Sequence, residues 1–472
     1  MKVLRNEGPK LQLISCLKQW VGLDRAIAYT VTARFWGGMA GIVTLLLIAR
    51  FLTPSEQGYY YTFNSLVALQ VIFELGFSFV VLQLAAHERA QLTFLPGGRI
   101  EGDAVAHSRL ASVLQKSIRW YSVAGVVMAA VLIPAGMHFF KSHQVAGAQI
   151  AWRAPWFLLV VATMLAFQID PVFSFLEGCG FVQQVAHRRL IQAVLGSLLA
   201  WAAMLLHHGL YAPALIILGQ VAVGLVLMLT GNHKPMLRGL LAYPVLEHFV
   251  GWRTEIWPFQ WKIAVSWMSG FFIFQLFNPV LFAYQGPVAA GQMGMSLSIA
   301  AAVGTVGLAW ISTKASPFGA LVARGEYREL DRLFFKTLWQ STAVILLGSA
   351  ALLTVYIAAS PHYPKIAMRI LPPWVLALLF VNTVANHIVT CQAFYLRAHK
   401  QEPFYVASLI SAILIGASTL VLGKYYGASA VVVGVTVLGL LYGLPYATFI
   451  FLRKRKLWHV RRVTLANAAV TG

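Results

Sequence analysis

The sequence predicts an all-α, polytopic integral membrane protein of about twelve transmembrane helices arranged as two six-helix lobes. Three observations predict it. Of the 472 residues, 59% are hydrophobic and only 11% charged, with a mean hydropathy of +0.72; a soluble domain carries roughly 25% charged residues. Apolar runs long enough to span a bilayer recur along the whole chain, with no long hydrophilic segment between them. The Lys and Arg residues, finally, fall in alternate loops. Such a chain cannot cover a water-facing surface with polar groups, so lipid is its solvent.

A spanning helix needs ~20 mostly apolar residues. Twelve runs meet that need: 27–51, 58–85, 118–140, 153–176, 186–206, 210–231, 258–284, 287–313, 337–359, 370–396, 403–423 and 427–452. Orientation follows from the loops between them. Segments 1–25, 86–119, 177–189, 232–262, 314–336, 397–402 and 453–472 carry 29 Lys and Arg, the opposite loops six, and Arg34 lies inside the first span. The alternation places the basic loops and both termini in the cytoplasm. Residues 1–25 form a cytoplasmic segment with an interfacial helix over 11–21, because Leu13, Ile14, Leu17, Trp20 and Val21 share a face. The first lobe is 26–231, the cytoplasmic inter-lobe loop 232–257, the second lobe 258–452, and the basic tail 453–472. Two longer inner loops read as amphipathic surface helices, 103–117 and 318–334.

Residues 196–228 and 416–446 are each an apolar run, a short turn ending in Gly (Gly209, Gly427) and a second run rich in small residues. They lie six spans apart, as do the two longer inner loops. An even number of spans per half gives a parallel repeat about an axis along the membrane normal, an arrangement that commonly encloses a central cavity.

Ionisable groups inside spans are costly, roughly 2.5–3.5 kcal/mol each on insertion scales, and so mark cavities, pairs or function. Arg34, Glu74, Asp170, Lys262 and His387 all fall in the cytoplasmic half, with Gln275 and Asn278 deeper in the seventh span. A cavity open to the cytoplasm explains their depth. Two readings stand for each. Arg34 and Glu74 form an interhelical ion pair or line the cavity; Asp170, before Pro171, caps a kink or binds a coupling cation. Lys262 snorkels or meets a substrate, and His387 is a satisfied bundle histidine or a polar substrate contact.

The net charge of +21 belongs to topology and to anionic lipid at the cytoplasmic face, not to nucleic acid. Cys16, Cys179 and Cys391 are too dispersed for a disulfide framework or metal site. The sequence has no G-x-S-x-G, H-E-x-x-H, P-loop or G-x-G-x-x-G, so we expect neither an enzyme nor a cofactor or metal.

The first two spans read LLLIARFLTPSEQGYYYTFNSLVALQVIFELGFSFVVLQLAAHE. This stretch, with residues 286–331 and Pro317 after the eighth span, resembles the polysaccharide transporters of the multidrug/oligosaccharidyl-lipid/polysaccharide (MOP) flippase superfamily. The resemblance implies a MATE-like fold in a bacterial inner membrane and alternating access without an ATPase. It also implies a polyprenyl-pyrophosphate-linked oligosaccharide as substrate, for O-antigen or exopolysaccharide pathways, with glycan polymerase or export machinery as partners. Related flippases place cations, often Arg on the first span, in the central cavity; Arg34 occupies a matching place and Lys262 is a second candidate, joined as substrate contacts by Gln275 and His387. Glu74 and Asp170 would balance charge or bind a coupling ion. A cation-coupled drug or small-solute exporter of the same superfamily is the alternative. An integral membrane transferase acting on lipid-linked sugar is another, with His387 as its nucleus.

Overall fold

The computed structural model describes residues 25–144, 150–231, 233–245, 248–399 and 403–471, with side chains at all of these except 25–28, 96, 227, 259, 262, 316 and 459–471. The expected interfacial helix over 11–21 and Cys16 lie outside the described residues. Of the described residues, 86% are helical. Its spans are α1 (Arg25–Phe51), α2 (Pro54–Glu74 and Phe77–Arg89, bent by 44°), α3 (Ala104–Ser142), α4 (Arg153–Gly178), α5 (Val182–Leu205) and α6 (Ala212–Thr230). The second half supplies α7 (Trp257–Phe274 and Phe277–Gln285), α8 (Pro287–Ser312), α9 (Tyr327–Ala359), α10 (Pro373–Ala398), α11 (Tyr405–Tyr425) and α12 (Ala428–Leu438, continuing through a π-turn at Gly439–Gly443). Each predicted span coincides with one of these.

Local chemistry sets the boundaries. Thr53 and Glu56 close a capping box ahead of α2, with Pro54 at its first turn. Asp103 caps α3 by accepting from the Ala106 amide at 2.8 Å. The expected surface helix over 103–117 is not a separate element: it is the first part of the unbroken 39-residue α3. The expected helix over 318–334 is split, because Gly325 turns left-handed (φ 69°) between the short helix Ala315–Arg324 and α9. A two-stranded hairpin, Leu92–Phe94 with Ile100–Gly102, follows α2 and was not expected.

Helix pairing repeats with a six-helix offset. In the first lobe α1 packs on α5, α2 on α3 and α4, α3 on α4, α4 on α6, and α5 on α6; in the second, α7 packs on α11, α8 on α9 and α10, α9 on α10, α10 on α12, and α11 on α12. The contacts between lobes obey the same offset: α2 meets α8, α1 meets α8 and, equivalently, α7 meets α2. This is the pairing that a parallel repeat requires.

At the end away from the basic loops the lobes are closed. A Cβ on Gly58 of α2 would stand 1.9 Å from the Pro287 carbonyl oxygen of α8, so only glycine lets these backbones approach. Gln57 donates to the Gly291 carbonyl at 2.8 Å and accepts from Arg369 at 3.1 Å. Tyr59, Phe63, Phe140, Trp156 and Phe282 fill this end with packed rings from four helices.

At the basic end the inter-lobe segment is clamped to the start of α3. Ser108 donates to the His248 carbonyl, Gln115 to the Leu240 and Tyr243 carbonyls, and Lys116 to the Val250 carbonyl. Arg109 bridges Glu88 at the end of α2 (2.8 Å) and Glu255 of the segment (2.5 Å). The Arg109 hydrogen bond is the largest of the effects that hold the Glu255 carboxyl below its ordinary range. A depressed folded pKa contributes stability that is present above the unfolded carboxylate pKa, roughly 4.3, and is lost as the pH falls through the folded value. Thermal unfolding in detergent should therefore show a midpoint that drops below about pH 4. In the Glu255→Gln variant the drop should be smaller and the neutral-pH midpoint lower.

Candidate functional site

Helix α1 presents three different faces. Trp36 and Thr44 are bonded to α5, the indole of Trp36 donating to Ser197 at 3.0 Å and that of Trp201 donating to Thr44 at 2.9 Å. Phe35, Met39, Ile42 and Leu46 form an exposed stripe of large apolar side chains, as lipid demands. The third face carries Arg34, Gly38 and Gly41, also exposed but small or charged, and a Cβ at Gly37, Gly38 or Gly41 would meet nothing within 4 Å. Two exposed faces on one span, one bulky and one not, are those of a helix with lipid on one side and a lumen on the other.

Helix α8 shows the same division along its length. Its first turns are buried against α2, whereas Ala301, Thr305 and Leu308 are exposed toward the basic end. Ser312 continues that stripe and accepts from the Arg34 guanidinium at 2.5 Å, the bond that joins α1 to α8 across the gap. Closed at one end and lined by exposed small residues at the other, the space between the lobes opens toward the basic loops.

The breaks in α2 and α7 hold the next groups. Leu75 (φ 52°) and Gly76 (φ 66°) are both left-handed, a conformation that costs a leucine of order 1–3 kcal/mol. A Cβ on Gly76 would stand 2.5 Å from Ile263 of α7, so the bend lets the lobes cross there. Glu74, directly before the bend, accepts from Ser78 (2.5 Å) and Tyr121 (3.2 Å), not from Arg34. The interhelical Arg34–Glu74 pair is absent among the described residues. Gln275 sits at the break of α7 and accepts from Ser65 of α2 at 3.3 Å; Asn278 donates to the same hydroxyl at 3.0 Å. These two amides form a polar bridge between the lobes. Lys262 lies on Trp257–Phe274, its side chain outside the described residues.

Asp170 is exposed although α4 is among the most buried helices. At ~100° per residue it stands across the helix from the exposed Phe157 and Leu165. The charges acting on it are those of Glu74 and Arg189. Helices α4 and α10 are both 26 residues long, so Asp170 holds the place that Thr390 takes in α10. Thr390 lines a cavity of about 420 Å³ within the second lobe, together with Asn382, Thr383, Asn386 and Tyr442. The buried Tyr442 hydroxyl has no partner among the described residues. Ala301 and Leu308 belong to the same lining, so the cavity is continuous with the gap between lobes. His387 borders it but is buried, its Nε2 bonded to the Ser341 hydroxyl at 2.7 Å.

Of the residues expected from the sequence, Arg34 and Asp170 are exposed on faces turned from lipid, while Gln275 and Glu74 stand at the two breaks. His387 is satisfied within the second lobe. Ser312 and the glycine face of α1 were missed, and the small residues at 37, 38 and 41 were the signal. Among the described residues no group of three or more His, Cys, Asp or Glu could hold a metal ion.

No family model matches the chain and no curated protein matches it. Its fold does match solved structures, among them MOP superfamily transporters. An inward-facing multidrug resistance MATE family transporter of that superfamily superposes with a TM-score of 0.59 at 13% identity, covering 90% of this chain and 99% of the other. The lipid II flippase MurJ in an inward closed conformation gives 0.58 at 12% identity, over 94% and 93%. The MATE multidrug transporter DinF-BH gives 0.55 at 16% identity, over 92% and 96%. At these identities the likeness establishes the fold, which is that of the MOP transporters.

Proposed function

We propose that the chain is a flippase that carries a polyprenyl-pyrophosphate-linked oligosaccharide, or a related polysaccharide precursor, across a bacterial cytoplasmic membrane by alternating access. One observation carries the reading. Arg34 is an exposed guanidinium on the small-residue face of α1, bonded to a neutral hydroxyl and with no carboxylate at ion-pair distance among the described residues. A pyrophosphate entering a low-dielectric lumen needs a fixed cation, and guanidinium offers a bidentate fork to it. The neutral amides and hydroxyls of the second-lobe cavity suit sugar hydroxyls. Lys262 and Gln275 are the further substrate contacts in this reading, with Glu74 and Asp170 as balancing charges or a coupling-ion site, while His387, bonded to Ser341, supports the cavity wall from behind. Anionic lipid at the cytoplasmic face and glycan polymerase or export machinery are its partners, and both termini are cytoplasmic.

A second reading, a cation-coupled exporter of drugs or small solutes, is favoured by the exposed Asp170 carboxylate, which would attract a cationic solute or coupling ion. Proteoliposomes separate the two. A fluorescent polyprenyl-pyrophosphate oligosaccharide should become accessible to an impermeant quencher at a rate that rises with protein content, and a cationic dye should not be driven out by an ion gradient. Dye efflux without glycolipid movement would reject the flippase.

A further inference from the structure

We propose that the cavity in the second lobe is a subsite for an uncharged sugar, and that its lining selects against acidic and basic sugars. That this sugar belongs to a lipid-linked glycan rests on the flippase reading above. The cavity measures about 420 Å³ and is walled by α7, α8, α10, α11 and α12. Small-molecule sites run to roughly 300–1,000 Å³, mostly apolar, with a few polar groups that fix orientation. Phe274, Phe277 and Leu297 belong to the apolar wall here, against which the C–H faces of a sugar ring can pack.

The polar groups are unengaged. Asn382 and Asn386, one turn apart on α10, line the cavity with Ser408 and Ser411 on α11 and Tyr442 on α12. None of these side chains makes a hydrogen bond among the described residues. The neighbouring Thr383 and Thr390 hydroxyls, by contrast, each donate to a carbonyl of their own helix at 2.8 Å. Primary amides and hydroxyls offer donors and acceptors together, the complement of a sugar's hydroxyls. Holding such groups beside apolar wall without partners costs free energy that a ligand pairing them returns. The Tyr442 hydroxyl is buried without a partner, so turning it toward a ligand breaks no bond. The π-turn at Gly439–Gly443 carries Tyr442, and a Cβ on Gly439 would stand 2.8 Å from the Asn382 side-chain oxygen. Glycine there lets α12 lie directly against that amide.

The same lining decides the charge of the ligand. It contains no Asp, Glu, Lys or Arg among the described residues, and His387 is bonded to Ser341 at 2.7 Å. A carboxylate or ammonium group brought here would lose water and gain no counter-ion, which is strongly unfavourable. An isoprenoid tail fits no better, because it would cover the amides and hydroxyls and pair none of them. In the first lobe the place of Thr390 is taken by Asp170. The two lobes therefore divide the work, charge in the first and neutral hydroxyls in the second.

The test uses the full chain in nanodiscs. Unfolding midpoints are followed against galactose, glucose and N-acetylglucosamine, and against glucuronate and glucosamine below its amine pKa, all at one ionic strength. Osmolytes stabilise folded proteins generally by exclusion, so trimethylamine N-oxide at equal osmolarity sets the baseline. At least one of the uncharged sugars should raise the wild-type midpoint above that baseline, and the charged ones should need at least about tenfold more for the same rise. Asn386→Leu and Tyr442→Phe should each weaken the response roughly threefold to tenfold, the size of one neutral hydrogen bond. Neither should melt below wild type without sugar, because each removes a polar group that has no partner; a merely structural role would lower that midpoint. Where Asn386→Leu fails to fold, Tyr442→Phe provides the comparison. The same rise in wild type and variant, equal responses to charged and uncharged sugars, or no rise above baseline with any uncharged sugar would overturn the proposal. Quencher accessibility in proteoliposomes keeps the two readings apart. Sugar binding without glycolipid movement would reject the flippase and leave the sugar site standing, and glycolipid movement without any sugar response would do the reverse.

Discussion

Arg34→Ala protein should reach the membrane in normal amount and move the polyprenyl-linked oligosaccharide roughly tenfold to a hundredfold more slowly than wild type. The estimate takes a charged hydrogen bond as worth about 1.5–3 kcal/mol. Arg34→Lys should fall between, because the ammonium keeps the charge and loses the fork. The Ser312 bond needs its own control, since Arg34 also ties α1 to α8. If the guanidinium acts on substrate, Ser312→Ala should transport at close to the wild-type rate. If Arg34 matters only as a tie between lobes, Ser312→Ala should be as slow as Arg34→Ala. Initial rates of quencher accessibility in proteoliposomes, normalised to folded protein, decide between these outcomes.

The second large effect is expected at the closed end. A methyl group at residue 58 would meet the Pro287 backbone at 1.9, 2.5 and 2.8 Å, and one at Gly291 of α8 would stand 2.9 Å from the Gly58 amide nitrogen. Backbone cannot rotate away, so α2 and α8 must separate. Inside a helix, Gly→Ala otherwise gains roughly 0.5–1 kcal/mol, while overpacking costs typically 1–3 kcal/mol, more where backbone is struck. The clash wins, and Gly58→Ala should unfold at a markedly lower temperature and stall transport with the seal at the closed end loosened. Gly37→Ala on α1 has open space beside it and should be neutral or slightly stabilising. Opposite signs for one chemical change, read in parallel thermal melts, would tie the effect to the α2–α8 contact and not to glycine as such.

Much of this architecture was legible in the sequence because lipid imposes it. Apolar runs must be helical for lack of water to satisfy their backbones, and Lys and Arg are confined to one set of loops. Residues 27–51 and 403–423 therefore coincide with α1 and α11 to within a few residues. What lay hidden was which face of a span meets a lumen. Phe35 and Gly38 are both acceptable beside lipid, and only the fold shows that Gly38 borders a gap while Phe35 does not. The Arg34 contact with Ser312 joins residues far apart in sequence and leaves no periodic trace. The bend at Leu75 and Gly76 was equally silent: a single Gly after a leucine is common in spans, and its cause is the approach of Ile263 from the other lobe. Arg188 and Arg189 counted alike as loop cations, yet one helical step of ~100° turns the first inward and the second out.

The account rests on a water-filled gap beside α1, and thiol reactivity tests it directly. Single cysteines at Gly38→Cys and Phe35→Cys, in a background with Cys16, Cys179 and Cys391 replaced, would be exposed to a charged, membrane-impermeant thiosulfonate applied at the basic-loop side of sealed vesicles. Water ionises thiols and admits the reagent; acyl chains do neither. Rapid labelling at residue 38 with none at residue 35 is the expected result. Equal protection of both, or labelling at residue 35 alone, would contradict a lumen on the Arg34 face of α1.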